Sequence, residues 1–213
     1  MLGFSLSKLN LLILVVALFA IVSYFYLGLS DILVADKAKQ VAESYYGEIL
    51  NRAQSDSLCN SKTGIIFPRS ISVSGGDRFY VAQISKFEPA DPDKLNSVVF
   101  KVVNRKDRKL VYAAKSFDVN ATIRLFGWDP KTSTVTEEPP DSMISIDPQS
   151  APRPVDGMNV VKETFQGRNF VYVIACSSVS GICELNSGIV GCKVKAERGV
   201  ASSCIAPAEP CPA

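Results

Sequence analysis

The sequence has 213 residues and a formal net charge of +2, with 23 lysines and arginines against 21 aspartates and glutamates. It contains no histidine, which excludes Ser-His-Asp and Cys-His catalytic sites and any histidine metal ligand. The balanced charge leaves no basic stripe of the kind that a polyanion requires, so we expect no nucleic-acid partner.

The first predicted element is the uncharged stretch LNLLILVVALFAIVSYFYLGLS at residues 9–30. As a helix it extends about 33 Å, which matches the roughly 30 Å hydrocarbon core of a bilayer. Lys8 before it, and Tyr24 and Tyr26 near its end, favour a cytoplasmic N-terminus. We therefore predict a short cytoplasmic leader at residues 1–8, a single transmembrane segment at residues 9–30 and the lipid bilayer as a partner.

A cleaved secretory signal is the competing interpretation of this stretch. Gly28, Leu29 and Ser30 form a small-x-small cleavage pattern, and cleavage there releases a secreted domain, with carboxylate-based hydrolysis as its conceivable activity. The apolar run at residues 11–29 is longer than the roughly 7 to 15 residues usual in signals. The length of this apolar run favours a retained membrane anchor over a cleaved signal.

A helical pattern continues beyond the apolar stretch. The apolar positions recur at intervals of three and four residues, at Val34, Ala38, Val41, Ala42, Tyr45, Tyr46, Ile49, Leu50 and Ala53. This spacing predicts an amphipathic stalk at residues 31–54, in one helix of about 45 residues with the transmembrane segment. The alternative is two helices separated near Gly28.

The next part, residues 55–176, is predicted to be an antiparallel β domain. Alternating apolar residues and turn signals indicate hairpins of residues 69–74 with 78–87, 97–103 with 110–119, and 158–165 with 170–176. Single strands are expected at residues 123–128 and 143–146. Asn120, Ala121 and Thr122 form a sequon, so Asn120 is a candidate glycosylation site.

The last part, residues 177–213, is predicted to be a cysteine-rich loop region tied by disulfides. An even number of cysteines beyond a membrane segment is typical of disulfides in an oxidising compartment. Their spacing lacks the close pairs of a zinc site, and fifteen disulfide pairings stay open. The candidates are Cys59, Cys176, Cys183, Cys192, Cys204 and Cys211.

The layout of a half-apolar, half-amphipathic helix before a β-rich, cysteine-tied head resembles type IV pilin-like proteins. The likeness covers residues 1–54, and Gly3-Phe4 is similar to the family's leader cleavage point, with Lys8 at the position where most members have glutamate. The resemblance implies a helix that anchors the subunit in the membrane and later packs against copies of itself in a filament. SKLNLLILVVALFAIVSYF is also similar to uncharacterised archaeal envelope proteins.

These patterns predict an α+β fold, in which one long N-terminal helix packs on an antiparallel β-rich head with a disulfide-tied C-terminal region. Small residues that permit close helix contact are Ala17, Ala20, Ser23 and Gly28. We expect a single-pass membrane protein with its head outside the cytoplasm, without a cofactor, metal or enzymatic activity, and with a structural or binding role at the cell envelope. A pilin-like filament subunit is the alternative.

Overall fold

A computed structural model describes residues 2–73, 76–88, 95–179 and 181–211, with side chains from residue 9 onward except at residues 26 and 27. Within these residues the chain order is α1 (Leu2–Ala53), β1 (Cys59–Ile66), β2 (Ile71–Val73), β3 (Gly76–Arg78), β4 (Tyr80–Phe87), β5 (Asn96–Asn104), β6 (Val111–Val119), β7 (Thr122–Asp129), β8 (Thr134–Glu137), β9 (Met143–Ile146), β10 (Gly157–Phe165), β11 (Arg168–Cys176) and α2 (Ile182–Arg198).

The strands form two main sheets and one short hairpin. The five-stranded sheet has the order β1-β10-β11-β7-β8, the four-stranded sheet has the order β6-β5-β4-β9, and β2 pairs with β3. Neighbouring strands are antiparallel except β11 and β7, which pair in parallel with Phe170 opposite Thr122. The connection from β6 to β7 carries the chain from one main sheet to the other.

The main core lies where α1 meets both sheets. It contains Ala38, Ala42 and Ile49 from α1, together with alternate residues of the four-stranded sheet and one face of the five-stranded sheet. Phe100 and Ile84 are fully buried in it. Because successive strand residues point to opposite faces, the same strands supply a second core on their other side.

The second core lies between the far face of the five-stranded sheet and α2. Phe126, Tyr172 and Ile174 supply the sheet side, and Val190 and Val194 supply the helix side. The chain after α2 then folds back along this helix, where the Ala208 N–H donates to the Gly188 carbonyl over 3.0 Å. The five-stranded sheet is therefore covered on both faces.

The predicted fold class is confirmed: one long N-terminal helix precedes a β-rich, mainly antiparallel head with disulfides in its C-terminal part. The helix is continuous through Gly28, so the alternative of two helices separated there is wrong. The second and third predicted hairpins, now β5 with β6 and β10 with β11, are confirmed.

The first predicted hairpin is only partly right. The chain does turn back after Val73, but β3 ends at Arg78 and β4 leaves to pair with β5 and β9. The turn residues 74 and 75 lie outside the described residues. Phe79 lies between β3 and β4 and so divides the predicted strand at residues 78–87. An alternating apolar pattern does not show that the two parts pair with different strands.

The expectation of a loop region at residues 177–213 is wrong, because residues 182–198 form α2. The buried face of this helix places Asn186, Gly188 and Gly191, which carry no apolar signal, among the apolar Ile182, Val190 and Val194. Gly188 and Gly191 are buried because the returning chain passes directly over them. These polar and glycine positions interrupt the apolar pattern of the helix.

Two strands were not predicted. β1 is almost entirely exposed along its length, so its sequence CNSKTGII lacks an alternating pattern, and backbone pairing with β10 defines it. β8 has only four residues, TVTE, with one buried valine. Both lie at the edges of the five-stranded sheet, where side-chain pattern is weakest.

Candidate membrane-anchoring helix

The described side chains in the first half of α1 are mostly apolar and exposed. Among the side chains described from Leu9 to Leu29, the large apolar ones are exposed, for example Leu11 at 66%, Phe19 at 70% and Val22 at 62%. The helix is long and apolar enough to cross a membrane. Exposure of so much contiguous apolar surface marks an interaction site or a membrane contact.

The second half of α1 is fixed to the head by one face. The buried positions recur every four or seven residues, at Val34, Ala38, Ala42, Ile49 and Ala53. Small side chains at Ala38 and Ala42 let the helix backbone approach the sheets closely. Among the described side chains, the first buried one is Ser30, and the buried face continues one turn later at Val34.

Tyr45 joins the stalk to the segment that follows β1. Its ring stacks on Phe67 with 3.9 Å between ring centroids, and its hydroxyl donates to the Ile66 carbonyl over 2.6 Å. Burial raises the pKa of the Tyr45 hydroxyl above its usual value. The hydroxyl therefore stays protonated and remains a donor across the ordinary pH range.

Ion pairs flank this contact on both sides of the stalk. Glu43 Oε1 lies 3.1 Å from Lys115 Nζ of β6, and Glu48 pairs with both Lys62 of β1 and Arg52. These side chains are partly exposed, so each pair contributes little to stability. They nevertheless show how α1 is aligned along β1 and β6.

The predicted helix-packing residues Ala17, Ala20, Ser23 and Gly28 lie on the exposed half of α1. A Cβ atom built on Gly28 has no neighbour within 4 Å, so this position is open to an approaching partner. The predicted leader cleavage point, Gly3-Phe4, has helical backbone, and its side chains lie outside the described ones. Close packing of α1 with a second copy stays a prediction.

Asn120 is exposed in the two-residue turn between β6 and β7. Ala121 beside it is buried, and its carbonyl accepts a hydrogen bond from the Asn96 side chain over 2.7 Å. The sequon is thus on the surface of the head, and its glycosylation stays a prediction.

The six cysteines form three disulfides: Cys59–Cys204, Cys176–Cys183 and Cys192–Cys211. The first joins the beginning of β1 to the chain after α2, and the second joins the end of β11 to the first turn of α2. The third joins α2 to the returning chain. Together they hold α2 and the C-terminal segment on the five-stranded sheet.

A buried ionic cluster that the sequence did not reveal fixes the end of α2. Arg198 donates to Glu163 over 2.7 Å, and Ser202 and the Ser203 N–H donate to the other oxygen of the same carboxylate. Burial alone would raise the pKa of Glu163, but these hydrogen bonds outweigh it and lower the pKa. Thirty-five residues separate Glu163 from Arg198, so no local pattern links them.

Tyr172 belongs to the same cluster, since it contacts both Glu163 and Arg198. Burial raises the pKa of Tyr172 to about 12, so this hydroxyl is not a base near neutral pH. The carboxylate is fully engaged and buried. This arrangement joins the end of α2 and the chain after it to β10.

Arg124 forms a second cluster at the edge of the five-stranded sheet. Its guanidinium pairs with Glu137 of β8 and, over 2.8 Å, with Glu197 of α2. Burial alone would lower the pKa of Arg124, but the two carboxylates raise it. Among the residues that the structure describes, no group of three or more cysteine or carboxylate side chains is arranged to hold a metal ion.

Comparison with protein-family models, with curated proteins and with solved structures finds no match to this chain.

Proposed function

We propose that this protein is a single-pass membrane protein, in which the first half of α1 crosses the bilayer and the second half carries a non-enzymatic head outside the cytoplasm. The head has a structural or binding role at the cell envelope. The observation that carries the proposal is the contrast within one continuous helix. Its apolar half is exposed, whereas its amphipathic half is buried against the sheets.

The length of the exposed segment supports a full crossing. Its apolar residues run from Leu9 to Leu29, and Asp31 is the first charged residue after Lys8. The exposed ring of Tyr24 lies near the outer end, where the amphipathic rings of tyrosine favour the membrane interface. A soluble protein with this exposed surface would aggregate, and a bilayer removes that cost.

The disulfides support placement of the head outside the cytoplasm. All six cysteines are paired in the fold, and structural disulfides persist in oxidising compartments. The non-enzymatic assignment is supported by the absence of histidine from the sequence. It is also supported by the engagement of the buried carboxylate Glu163 in purely structural contacts.

The proposal is tested by alkaline carbonate extraction of cell membranes, followed by protease treatment of intact cells from which any outer layer has been removed. We expect the full chain to remain in the membrane pellet and the head to be accessible to protease from outside. Release by carbonate would contradict the anchor. Digestion of the head only after lysis would contradict its extracytoplasmic placement.

A filament subunit is the second candidate function, and the open surface at Gly28 favours it. In this proposal the exposed half of α1 leaves the lipid and packs against copies of itself. Small residues such as Ala17 and Ala20 allow close approach of helices. Val16→Glu should then abolish fibres seen by electron microscopy of sheared cell surfaces, and fibres that persist with this change would count against assembly through α1.

A further inference from the structure

The turn between β5 and β6 carries a concentration of positive charge at one end of the head. We propose that this turn, residues 105–110 and hereafter the basic tip, docks on anionic lipid headgroups of the same leaflet from which α1 emerges. The inference rests on the proposed membrane anchor and adds a second contact between the head and the bilayer.

Three cations of the basic tip are exposed and can contact an anionic surface. Lys106, Arg108 and Lys109 are exposed, and none of them forms an ion pair with any residue that the structure describes. Arg105 differs, because its guanidinium lies 2.9 Å from Asp147 and is neutralised there. Asp107 is the one acidic residue within the turn. The basic tip therefore presents a local excess of positive charge.

The shape of the basic tip is fixed by its own hydrogen bonds. The Asn104 side-chain oxygen accepts the N–H groups of Lys106 and Asp107 over 2.8 and 2.9 Å. The Asp107 carboxylate accepts the N–H of Lys109 over 3.1 Å. Because the turn is ordered in this way, docking does not require the backbone to lose further freedom.

Apolar side chains adjoin the cations. Leu110 is 50% exposed and Val111 is 47% exposed at the start of β6, and Phe79 is 45% exposed on the neighbouring segment. Phe79 is held beside the turn, because its carbonyl accepts the Arg105 N–H over 3.2 Å. Cations next to exposed apolar groups match the chemistry of a lipid headgroup layer, which has phosphates above acyl chains.

The direction of β6 brings the basic tip to the membrane end of the head. Glu43 pairs with Lys115, and three residues further along α1 the ring of Tyr46 meets Phe117, two residues further along β6. The helix and the strand therefore run in the same direction. The beginning of β6, with the turn before it, points back toward the apolar half of α1.

Distances along the two elements place the basic tip at the level of the membrane surface. Glu43 lies about 21 Å along the helix from Leu29, at 1.5 Å per residue. Lys109 lies about 20 Å back along the chain from Lys115, at roughly 3.3 Å per residue. A strand inclined to the helix descends somewhat less, and the headgroup layer of roughly 5–7 Å together with long lysine and arginine side chains closes that gap.

The charges that α1 carries at this level do not cancel the basic tip. On α1, Asp31 and Asp36 are matched in number by Lys37 and Lys39. Each cation near an anionic surface changes the ratio of docked to undocked heads by about 5-fold, and the attraction decays within a Debye length of about 10 Å at 0.1 M salt. The basic tip is thus the part of the head that responds to anionic lipid.

The test uses the full-length protein with Leu110→Trp, reconstituted in vesicles of phosphatidylcholine alone or of phosphatidylcholine and phosphatidylglycerol in equal parts. A phosphatidylcholine with a spin label on its headgroup serves as the fluorescence quencher. Phe87→Trp is the matched control, since Phe87 is 48% exposed and lies at the opposite end of the same sheet. The wild type provides the background from Trp128, the single native tryptophan.

We expect strong quenching of Leu110→Trp in the vesicles with phosphatidylglycerol, little in phosphatidylcholine alone, and only background quenching of Phe87→Trp. Adding Arg108→Gln and Lys109→Gln should lower the docked-to-undocked ratio about 25-fold. Arg168→Gln with Lys195→Gln is the matched charge control, because these exposed residues lie at the other end of the head. That pair should leave quenching unchanged.

Two results would overturn the inference while leaving the anchor in place. One is a protein that floats with the vesicles while Leu110→Trp shows only background quenching. The other is equal quenching in the two kinds of vesicle, which would exclude headgroup charge as the cause. A protein that does not float with the vesicles would overturn both the anchor and the docking.

Discussion

Tyr45 of the stalk stacks on Phe67 with 3.9 Å between ring centroids, and its hydroxyl donates to the carbonyl of the residue before Phe67. This contact connects α1, the proposed membrane anchor, to the sheets of the head. It holds the head in a fixed orientation relative to α1. A head on a flexible linker would have no fixed face toward the bilayer.

The contribution of the Tyr45 hydrogen bond to stability can be measured by removing only the hydroxyl of this side chain. Tyr45→Phe keeps the stacked ring and should lower the free energy of unfolding by about 1 kcal/mol, because the Ile66 carbonyl loses its donor. Tyr46→Phe is the control, since no hydrogen bond of the Tyr46 hydroxyl is found among the described residues. Denaturant unfolding of the full chain in detergent compares the two, and equal losses would contradict the assignment.

The close passage of the C-terminal segment over α2 predicts opposite effects of two glycine substitutions. A Cβ on Gly191 would lie 2.8 Å from the Ala206 carbonyl oxygen, so Gly191→Ala should destabilise the head by about 1–3 kcal/mol. A Cβ on Gly47 meets nothing within 4 Å, so Gly47→Ala should stabilise α1 by about 0.5–1 kcal/mol. Unfolding midpoints measure both. A gain at Gly191 would show that the segment does not pack there.

Replacement of the buried carboxylate Glu163 should strongly destabilise the head near neutral pH. Glu163→Gln leaves Arg198 buried without its counter-ion, and we expect a loss of about 3 kcal/mol in the free energy of unfolding. Glu184→Gln, an exposed change on α2, the helix that carries Arg198, should cost less than about 0.5 kcal/mol. Similar effects of the two changes would exclude Glu163 as an anchor for the end of α2.

The lowered pKa of Glu163 gives this loss a defined pH dependence. The unfolded carboxyl protonates near its ordinary pKa of about 4.3, whereas the folded one protonates at lower pH. The stabilisation is therefore complete above about pH 4.3 and is lost as the pH falls through the folded pKa. The difference between wild type and Glu163→Gln should shrink under acid conditions. A difference that is constant with pH would contradict the shift.

Charges in the exposed half of α1 should remove the protein from the membrane. Leu14→Arg with Leu18→Arg adds about 2.5–3.5 kcal/mol per residue to the free energy of insertion. Gln40→Arg with Ser44→Arg has the same charge and spacing on the exposed side of the stalk and should have no effect. Carbonate extraction of cells that express each variant distinguishes them. Membrane retention of the first variant would contradict insertion of this segment.

The sequence predicts those parts of the fold that local patterns determine. The uncharged run at residues 9–30 and the helical spacing from Val34 to Ala53 predict α1 as a single helix, and it forms one. Turn residues predict the β5–β6 and β10–β11 hairpins, since neighbouring strands in the chain pair directly. The anchor, which is the candidate site, belongs to this predictable part.

Features that depend on distant residues were not predictable. The parallel pairing of β7 with β11 brings together strands more than 30 residues apart, which no turn signal specifies. The Cys59–Cys204 disulfide closes a separation of 145 residues, so spacing alone could not select it. α2 was missed for the same reason, because its glycines are buried only by a segment that returns later in the chain.

If residues 9–30 anchor the head outside the cytoplasm, they remain part of a mature chain whose cysteines are oxidised. The most direct test is the intact mass and N-terminal sequence of the native protein, measured without and with reduction and alkylation. We expect a membrane-bound chain that retains residues 11–29 and takes up alkylating agent only after reduction. A mature chain that starts at Asp31, or cysteines that are alkylated without reduction, would contradict it.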